Sequence, residues 1–205
     1  MTVTQITPVT GSRSKVYLND EFAFVLYKGE LRRYKLEEGA DICDKVYREI
    51  QSILNKRAKL RSMALLKSRP YTEKQMCDKL RQGFYPETAI KEAVDYLKSY
   101  GYINDAGYVA AYLDYHKETK SRRRMEQDLI TKGIDRELIA AVFTEWEGDG
   151  GEVDETEQIA RWIRKKSYDI HTADFKEKQK MLSFLYRKGF DSSKIRKALQ
   201  YEDLF

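Results

Sequence analysis

The sequence repeats one pattern of helix, glycine and helix three times, and this repeat limits the folds that the chain can adopt. Gly83, Gly133 and Gly189 each follow a short amphipathic run and precede a second one. The glycines lie 50 residues apart (133 minus 83) and then 56 apart (189 minus 133). A period of this length, with the same order of elements each time, indicates a tandem array of small helical modules.

The stretch before Gly83 shows how one such helix is specified. Thr72, followed three residues later by Gln75, forms a capping box. Tyr71 and Met76 occupy the two positions of a hydrophobic staple, and we expect Gly83 to end the helix in the left-handed conformation. The residues expected to begin the helices after the three glycines are Pro86, Asp135 and Asp191.

The segment before residue 41 has a different pattern, rich in β-branched and aromatic residues. We expect strands around residues 15–18 and 22–27, with Asn19 and Asp20 as the hairpin turn and Pro8 separating an earlier short strand. Residues 30–36 fit either a third strand or a single helical turn. Asp41 is expected to cap a long helix that reaches about Lys67.

The predicted fold is therefore mainly α, with three tandem three-helix modules in an elongated array and a small N-terminal β-hairpin appendage. The predicted divisions are an appendage (1–40), a first module (41–102), a second module (103–147), an acidic glycine-rich linker (148–153) and a third module (154–205). The linker is expected to be flexible, because Gly148, Gly150 and Gly151 stand among carboxylates. A composition of 41% hydrophobic and 35% charged residues suits small cores in series.

No catalytic or metal centre is predicted, and no cofactor. His116 and His171 are the only histidines, and neither has a partner at metal-ligand spacing. The sequence contains no phosphate-binding glycine loop and no nucleophile elbow. Cys43 and Cys77 are expected to be ordinary reduced thiols. These observations argue against an enzyme and favour a binding protein.

Charge points to the kind of partner. The net charge is +5 with a pI of about 9.0, and nine basic residues face two acidic ones between residues 56 and 81. Basic blocks favour a polyanionic partner, with nucleic acid the first candidate, although a solvated helix face explains any single block equally well. The candidate binding residues are Arg57, Arg61, Arg69, Lys120, Arg122, Arg123, Arg124, Arg161, Arg164, Lys165 and Lys166. Tyrosines could stack on bases, but Tyr96, Tyr112 and Tyr186 are interpreted as packing residues.

Several short motifs in order resemble one family. They are the stretch from Ser68 to Thr72 leading to Gly83-Phe84, the stretch from Gly101 to Asp105, Arg124-Met125 with Gly133-Ile134, and Phe184-Leu185 with Lys188-Gly189-Phe190. Over residues 60 to 200 the chain resembles the RecX regulators of the bacterial recombinase RecA. The resemblance implies three tandem three-helix modules.

The resemblance also implies a function. It implies a non-enzymatic protein that lodges in the groove of the RecA–DNA filament and inhibits ATP hydrolysis, strand exchange and stimulated repressor cleavage. Weak, electrostatic binding of single- or double-stranded DNA is implied as well. Two features depart from the family pattern, because Ser121 stands where the family usually has glycine and the β-appendage occurs only in some members.

Two other functions stay open at this stage. A stand-alone nucleic-acid-binding protein would use a basic helix in a groove of the duplex. A helical scaffold for another acidic protein is the third reading. No apolar run is long enough for a membrane span and no signal pattern is present, so we expect a cytoplasmic monomer without membrane contact.

Overall fold

The computed structural model describes residues 1–200. The chain divides into two compact units, one from Met1 to Asn104 and one that begins at Asp105. The first unit holds three antiparallel strands in the order β1 (Val3–Thr10), β2 (Arg13–Leu18) and β3 (Glu21–Tyr27). Four helices follow in that unit: α1 (Lys28–Arg33), α2 (Asp44–Leu66), α3 (Glu73–Gln82) and α4 (Glu87–Ser99).

The N-terminal sheet has the predicted hairpin and an earlier strand, β1, that continues past Pro8. Asn19 and Asp20 have φ of 48° and 69°, which is the turn whose twist suits a two-residue hairpin. Pro8 was predicted to separate this earlier strand from the hairpin, but β1 runs through it to Thr10. The proline is tolerated because β1 is an edge strand, so its missing N–H breaks no ladder. Residues 28–33 form a helix, which decides the ambiguity of that segment.

The sheet and the helices of the first unit share one hydrophobic core. Val16 and Phe24 of the sheet and Ile50 of α2 have no exposed surface. On α2 the buried residues recur every fourth position, as a helix packed along its length requires. The N-cap of α2 is Cys43 rather than the predicted Asp41. The Asp41 carboxylate instead accepts a hydrogen bond from Thr2 Oγ1 at 2.7 Å and ties the chain start to this segment.

The capping box of α3 is confirmed, and the glycine at its end is not as predicted. Thr72 Oγ1 accepts from the Gln75 N–H at 3.2 Å, and the Gln75 side chain accepts from the Thr72 N–H. Gly83 has φ of −80°, and the following Phe84 takes the left-handed conformation at 61°. The Tyr85 ring crowds Gly83, since a Cβ there would lie 3.0 Å from it. Pro86 is the N-cap of α4, one position before its first turn.

Removing the cap hydroxyl of α3 should cost stability. We expect Thr72→Ala to lower the free energy of unfolding by about 1 kcal/mol, because the Gln75 N–H loses its partner. Urea unfolding of the full chain would measure this. Thr144→Ala is the matched control, since its hydroxyl only bonds back to Ala140 O within the same helix. An equal loss in both variants would contradict the capping role.

The second unit contains six helices within the described residues. They are α5 (Asp105–His116), α6 (Arg122–Thr131), α7 (Arg136–Gly148), α8 (Glu155–Lys165), α9 (Phe175–Arg187) and α10 (Ser192–Ala198). Helices α5–α7 enclose one core around Phe143, and α8–α10 enclose another around Phe190. The predicted N-caps Asp135 and Asp191 are confirmed. The predicted class, mainly α with a small N-terminal sheet, is therefore also confirmed.

The glycine-rich segment after α7 makes specific contacts. Helix α7 extends to Gly148, and the Gly151 N–H donates to Trp146 O at 2.8 Å. A Cβ on Gly151 would lie 2.3 Å from the Trp146 ring, so the backbone rests directly on the indole. Contact with Trp146 therefore gives this glycine a packing role. The flexibility expected of the linker stays a prediction.

Candidate binding surface

Most of the predicted arginines are held in ion pairs. Arg122 lies 3.1 Å from Glu126 and also pairs with Glu147, while its guanidinium stacks over the Phe143 ring. Arg161 pairs with Glu118 at 2.7 Å and with Glu157. The Arg122–Glu147 pair joins α6 to α7, and the Arg161–Glu118 pair joins α8 to the segment after α5. The predicted residues with such carboxylate partners are Arg57, Lys120, Arg122, Arg124, Arg161 and Arg164.

Lys120 and Arg124 belong to a network centred on Asp128. Lys120 Nζ donates to Asp128 Oδ2 at 2.8 Å and to Tyr112 Oη at 2.6 Å. The Tyr112 hydroxyl donates to the same carboxylate at 2.9 Å, and Arg124 Nε lies 3.1 Å from its other oxygen. Burial opposes ionisation of Asp128, but hydrogen bonds from Lys120 and Tyr112 hold its pKa below the usual value. The network fixes α6 against α5.

The Asp128 network should give a pH-dependent contribution to stability. Because the folded pKa is lowered, ionised Asp128 stabilises the fold above the unfolded value of about 3.9, and this contribution is lost as the pH falls through the folded pKa. We expect Asp128→Asn to lose about 1 kcal/mol at neutral pH, and the difference from wild type to shrink below about pH 4. Urea unfolding at several pH values would measure both. A constant difference down to pH 2 would contradict the assignment.

Five predicted cations make no ion pair with any described residue. Arg123 stands over the Tyr186 ring at 5.6 Å, and Arg69 stands over Tyr71 at 4.1 Å. Tyr186 was predicted to be a packing residue, but half of it is exposed (51%). Unpaired cations can bind an external anion without first losing an internal partner. They are Arg61, Arg69, Arg123, Lys165 and Lys166.

Lys165 and Lys166 flank an aromatic pair that the sequence analysis did not single out. Trp162 and Phe184 meet edge to face at 5.3 Å. Lys165 Nζ lies 5.2 Å from the Trp162 centroid, and Lys166 Nζ lies 5.2 Å from that of Phe184. Lys188 Nζ approaches both rings, at 4.6 and 5.6 Å. Three ammonium groups therefore surround one aromatic pair, an arrangement stabilised by cation–π attraction.

A groove of about 460 Å³ opens beside this pair. Lys120 and Arg124 line it from one side, and Arg187 and Lys188 line it from the end of α9. Within the described residues no carboxylate belongs to its lining, so the groove suits an anion. We call this the basic groove, defined by Lys120, Arg124, Trp162, Phe184, Arg187, Lys188 and Phe190.

Hydrogen bonds from three polar side chains hold the two walls of the basic groove together. The Ser121 hydroxyl donates to Lys188 O at 3.2 Å. The Glu155 carboxylate, almost fully buried, accepts from the Arg122 N–H at 3.0 Å and from Lys194. Gln158 Nε2 donates to Lys117 O at 2.7 Å and to Lys120 O at 3.1 Å. These bonds dock α8 and α9 against the start of α6.

The described residues contain neither a metal-binding cluster nor a helix suited to crossing a membrane. Within residues 1–200, no three His, Cys, Asp or Glu side chains converge to hold a metal ion. His116 packs against Tyr112 and Tyr115, and its pKa is lowered by burial and by nearby Lys120. The described helices include none with the length and apolar character to cross a membrane.

Comparison with known families assigns the three helical modules. Separate family models for the first, second and third three-helix domains of RecX match residues 58–97, 104–142 and 152–199, in that order. The chain belongs to the RecX family. The first match covers the end of α2, α3 and most of α4, the second covers α5, α6 and the first half of α7, and the third covers α8 to α10. This order confirms the repeat predicted from the glycine spacing.

RecX relatives match along most of the chain. A protein named "Regulatory protein RecX" from Caldanaerobacter subterraneus subsp. tengcongensis is 32% identical over 190 residues, which is 92% of each chain. One of the same name from Clostridioides difficile is 28% identical and covers 91% of this chain and 88% of its own. A crystal structure of regulatory protein RecX has a TM-score of 0.61 at 22% identity, covering 98% and 99% of the two chains. A crystal structure of RecX from Lactobacillus salivarius has a TM-score of 0.58 at 22% identity, and the match covers 75% of this chain and 99% of the other.

The departure from the RecX pattern at Ser121 has a structural role. Ser121 is fully buried, and its hydroxyl accepts from the Arg124 N–H as the N-cap of α6 while donating to Lys188 O. Gly189 is the close neighbour of this hydroxyl. It has φ of 92°, and a Cβ there would lie 2.7 Å from Ser121 Oγ. The repeat glycine thus permits both the turn after α9 and the close approach of α6.

The groove residues that sequence reasoning missed are Arg187, Lys188, Trp162 and Phe184. Phe184 and Lys188 belong to the motifs that resemble the family, and Lys188 also precedes the repeat glycine, but this position alone does not mark Lys188 as a binding residue. Its importance depends on a contact between helices far apart in the chain, which periodicity does not reveal. Trp162 and Phe184 read as ordinary core residues, and their partial exposure follows from the docking of α8 on α9.

Proposed function

We propose that this RecX-family chain binds the filament that RecA forms on DNA and inhibits its ATPase, strand-exchange and coprotease activities. The observation that carries the proposal is the basic groove, with Lys165, Lys166 and Lys188 around the Trp162–Phe184 pair. In this proposal the protein is a non-enzymatic cytoplasmic monomer, and it binds DNA weakly through electrostatic contacts.

Inhibition would arise by occupancy of the filament. Several modest contacts from tandem modules to successive RecA protomers gain affinity through multivalency. A bound chain would shift the filament toward the conformation that accommodates it. The unpaired cations would supply these contacts, whereas Arg122, Arg161 and Arg164 would mainly stabilise the modules through their ion pairs.

Co-sedimentation with RecA filaments on single-stranded DNA, held with a slowly hydrolysed nucleotide, would test the proposal. We expect the chain to pellet with the filament at concentrations where bare DNA of the same length binds little of it. Equal binding to bare DNA and to the filament would contradict the proposal.

The equal-binding result would support the alternative function, a stand-alone nucleic-acid-binding helical-repeat protein. The observation in favour of that alternative is the set of cations that make no ion pair with a described residue. Phosphate contacts of this kind would show a steep dependence on salt.

A further inference from the structure

The first unit carries its own aromatic surface at the end of α4. Tyr96 and Tyr100 lie 4.8 Å apart between ring centroids, and Tyr100 and Tyr102 lie 6.2 Å apart with planes only 20° from parallel. Tyr100 is 64% exposed and Tyr102 is 50% exposed. We call these three residues the tyrosine platform. Two large rings that face water this openly contribute little to the core.

Backbone geometry holds the platform in place. Gly101 has φ of 71°, and the Tyr102 N–H donates to Leu97 O at 2.8 Å, which closes the helix end. The next residue, Ile103, is buried (5% exposed) and anchors the turn in the core. The chain therefore presents Tyr100 and Tyr102 on a turn that is fixed on both sides. Binding of a ligand that stacks on these rings would therefore require little loss of conformational entropy in the protein.

A row of cations on α2 adjoins the platform. Lys59 Nζ lies 5.2 Å from the Tyr96 centroid and 2.7 Å from Glu92. Lys56 lies one turn before Lys59, and Lys67, the C-cap residue of α2, lies about two turns after it. Both are exposed and make no ion pair with any described residue. These three lysines, which we call the lysine row, line a groove of about 780 Å³ between α2 and α4 together with Arg48 and one carboxylate, that of Glu92.

We propose that the tyrosine platform and the lysine row bind one strand of unpaired nucleic acid. Its bases would stack on Tyr100 and Tyr102, and its phosphates would lie along Lys56, Lys59 and Lys67. A single strand offers both the flat base faces and the regular negative charge that this surface matches. In a duplex the base faces are covered by neighbouring bases. An acidic protein would match the lysines but offers no row of flat bases to stack on the tyrosines. The proposal rests on the DNA binding that is part of the proposed function, and it deepens that function by assigning the binding to one surface and to a single strand.

Fluorescence anisotropy with a labelled oligothymidylate of about 20 residues would test this, using the full chain. The aromatic variant is Tyr100→Leu with Tyr102→Leu, and its control is Tyr115→Leu, a tyrosine of the second unit that is 80% exposed. We expect the double variant to weaken binding by about one to two orders of magnitude, and the control to bind as wild type does. Circular dichroism would check that each variant is folded.

Two further probes separate stacking from charge. An abasic strand of the same length has phosphates without bases, so wild type and the tyrosine variant should bind it equally. The lysine variant is Lys56→Gln with Lys67→Gln, which removes two phosphate contacts. Each contact on a single strand contributes about 0.7 to the steepness of log affinity against log salt, so the dependence should become less steep by about 1.4.

Two outcomes would overturn the proposal. In the first, the tyrosine variant binds oligothymidylate as tightly as wild type. In the second, that variant binds the strand normally but loses affinity for RecA filaments, which would make the platform a protein contact. Because the oligonucleotide assay contains no RecA, its result is independent of whether the chain inhibits the recombinase.

Discussion

Replacing Lys166 and Lys188 by glutamine should weaken binding to the RecA–DNA filament by about tenfold. Both lysines are exposed, neither forms an ion pair with a described residue, and both stand over the Trp162–Phe184 pair. Each could donate a charge-assisted hydrogen bond to an anionic group, a contact that contributes about 1.5 to 3 kcal/mol when water is excluded and less at an exposed site. Co-sedimentation at increasing protein concentration would measure the loss.

A second double variant tests whether the position of the two lysines, or only the loss of two positive charges, weakens binding. Lys176→Gln with Lys197→Gln removes the same charge from exposed sites on α9 and α10 that do not line the basic groove. We expect this control to bind filaments within about twofold of wild type, since long-range charge effects are screened by salt. A similar loss in both double variants would mean that overall charge, and not the lysines at the Trp162–Phe184 pair, governs binding.

Phe190→Ala should give the largest loss of stability, about 3 to 5 kcal/mol. Phe190 is almost fully buried (1% exposed) in the core of α8–α10, and it also lines the basic groove. Its removal leaves a cavity between helices too short to be stable alone. Urea unfolding followed by tryptophan fluorescence would detect the loss, because Trp162 packs against the same core.

Phe175→Ala is the control for that change. Phe175 is the first residue of α9 in the same module and is 67% exposed, so its removal should change the free energy of unfolding by less than about 0.5 kcal/mol. Equal effects of the two changes would contradict the assignment of Phe190 to the core. The comparison holds residue type and module constant and varies only burial.

The local features of the fold were predictable because their causes are local. A capping box needs only Thr72 and a residue three positions on, and the hairpin turn needs only Asn19 and Asp20. One error came where a distant segment intervenes, and another where a neighbouring residue takes the expected conformation. Asp41 was expected to cap α2, but its carboxylate binds Thr2 instead. Gly83 was expected to be left-handed, but Phe84 takes that conformation.

The candidate site was only partly predictable, for a related reason. Clusters such as Arg122 to Arg124 are evident in the sequence, but one carboxylate partner of Arg122 lies on another helix, α7, while Arg124 pairs with Asp128 of its own helix. Glu147, for example, is 25 residues from Arg122. Burial and ion pairing divide the predicted cations into structural and available ones, and neither property can be read from charge alone. Lys165 and Lys166 were predicted and remain available, whereas the basic groove depends on how α6 meets α9.

The exposure of individual tyrosines also depends on how neighbouring helices pack. Tyr96 and Tyr112 were predicted to pack, and both are partly buried against the cores. Tyr186 was predicted to pack as well, yet half of its surface is exposed beside Arg123. Helical spacing places a residue on one side of its own helix, but the neighbouring helices decide whether that side is covered.

The rate of ATP hydrolysis by RecA on single-stranded DNA, titrated with this chain, tests the central proposal most directly. We expect inhibition well below one chain per RecA protomer, and we expect the Lys166→Gln with Lys188→Gln variant to need more protein for the same effect. An unchanged ATPase rate at saturating protein, together with tight, salt-sensitive binding to bare DNA, would contradict the filament-regulator proposal and favour a stand-alone nucleic-acid-binding protein.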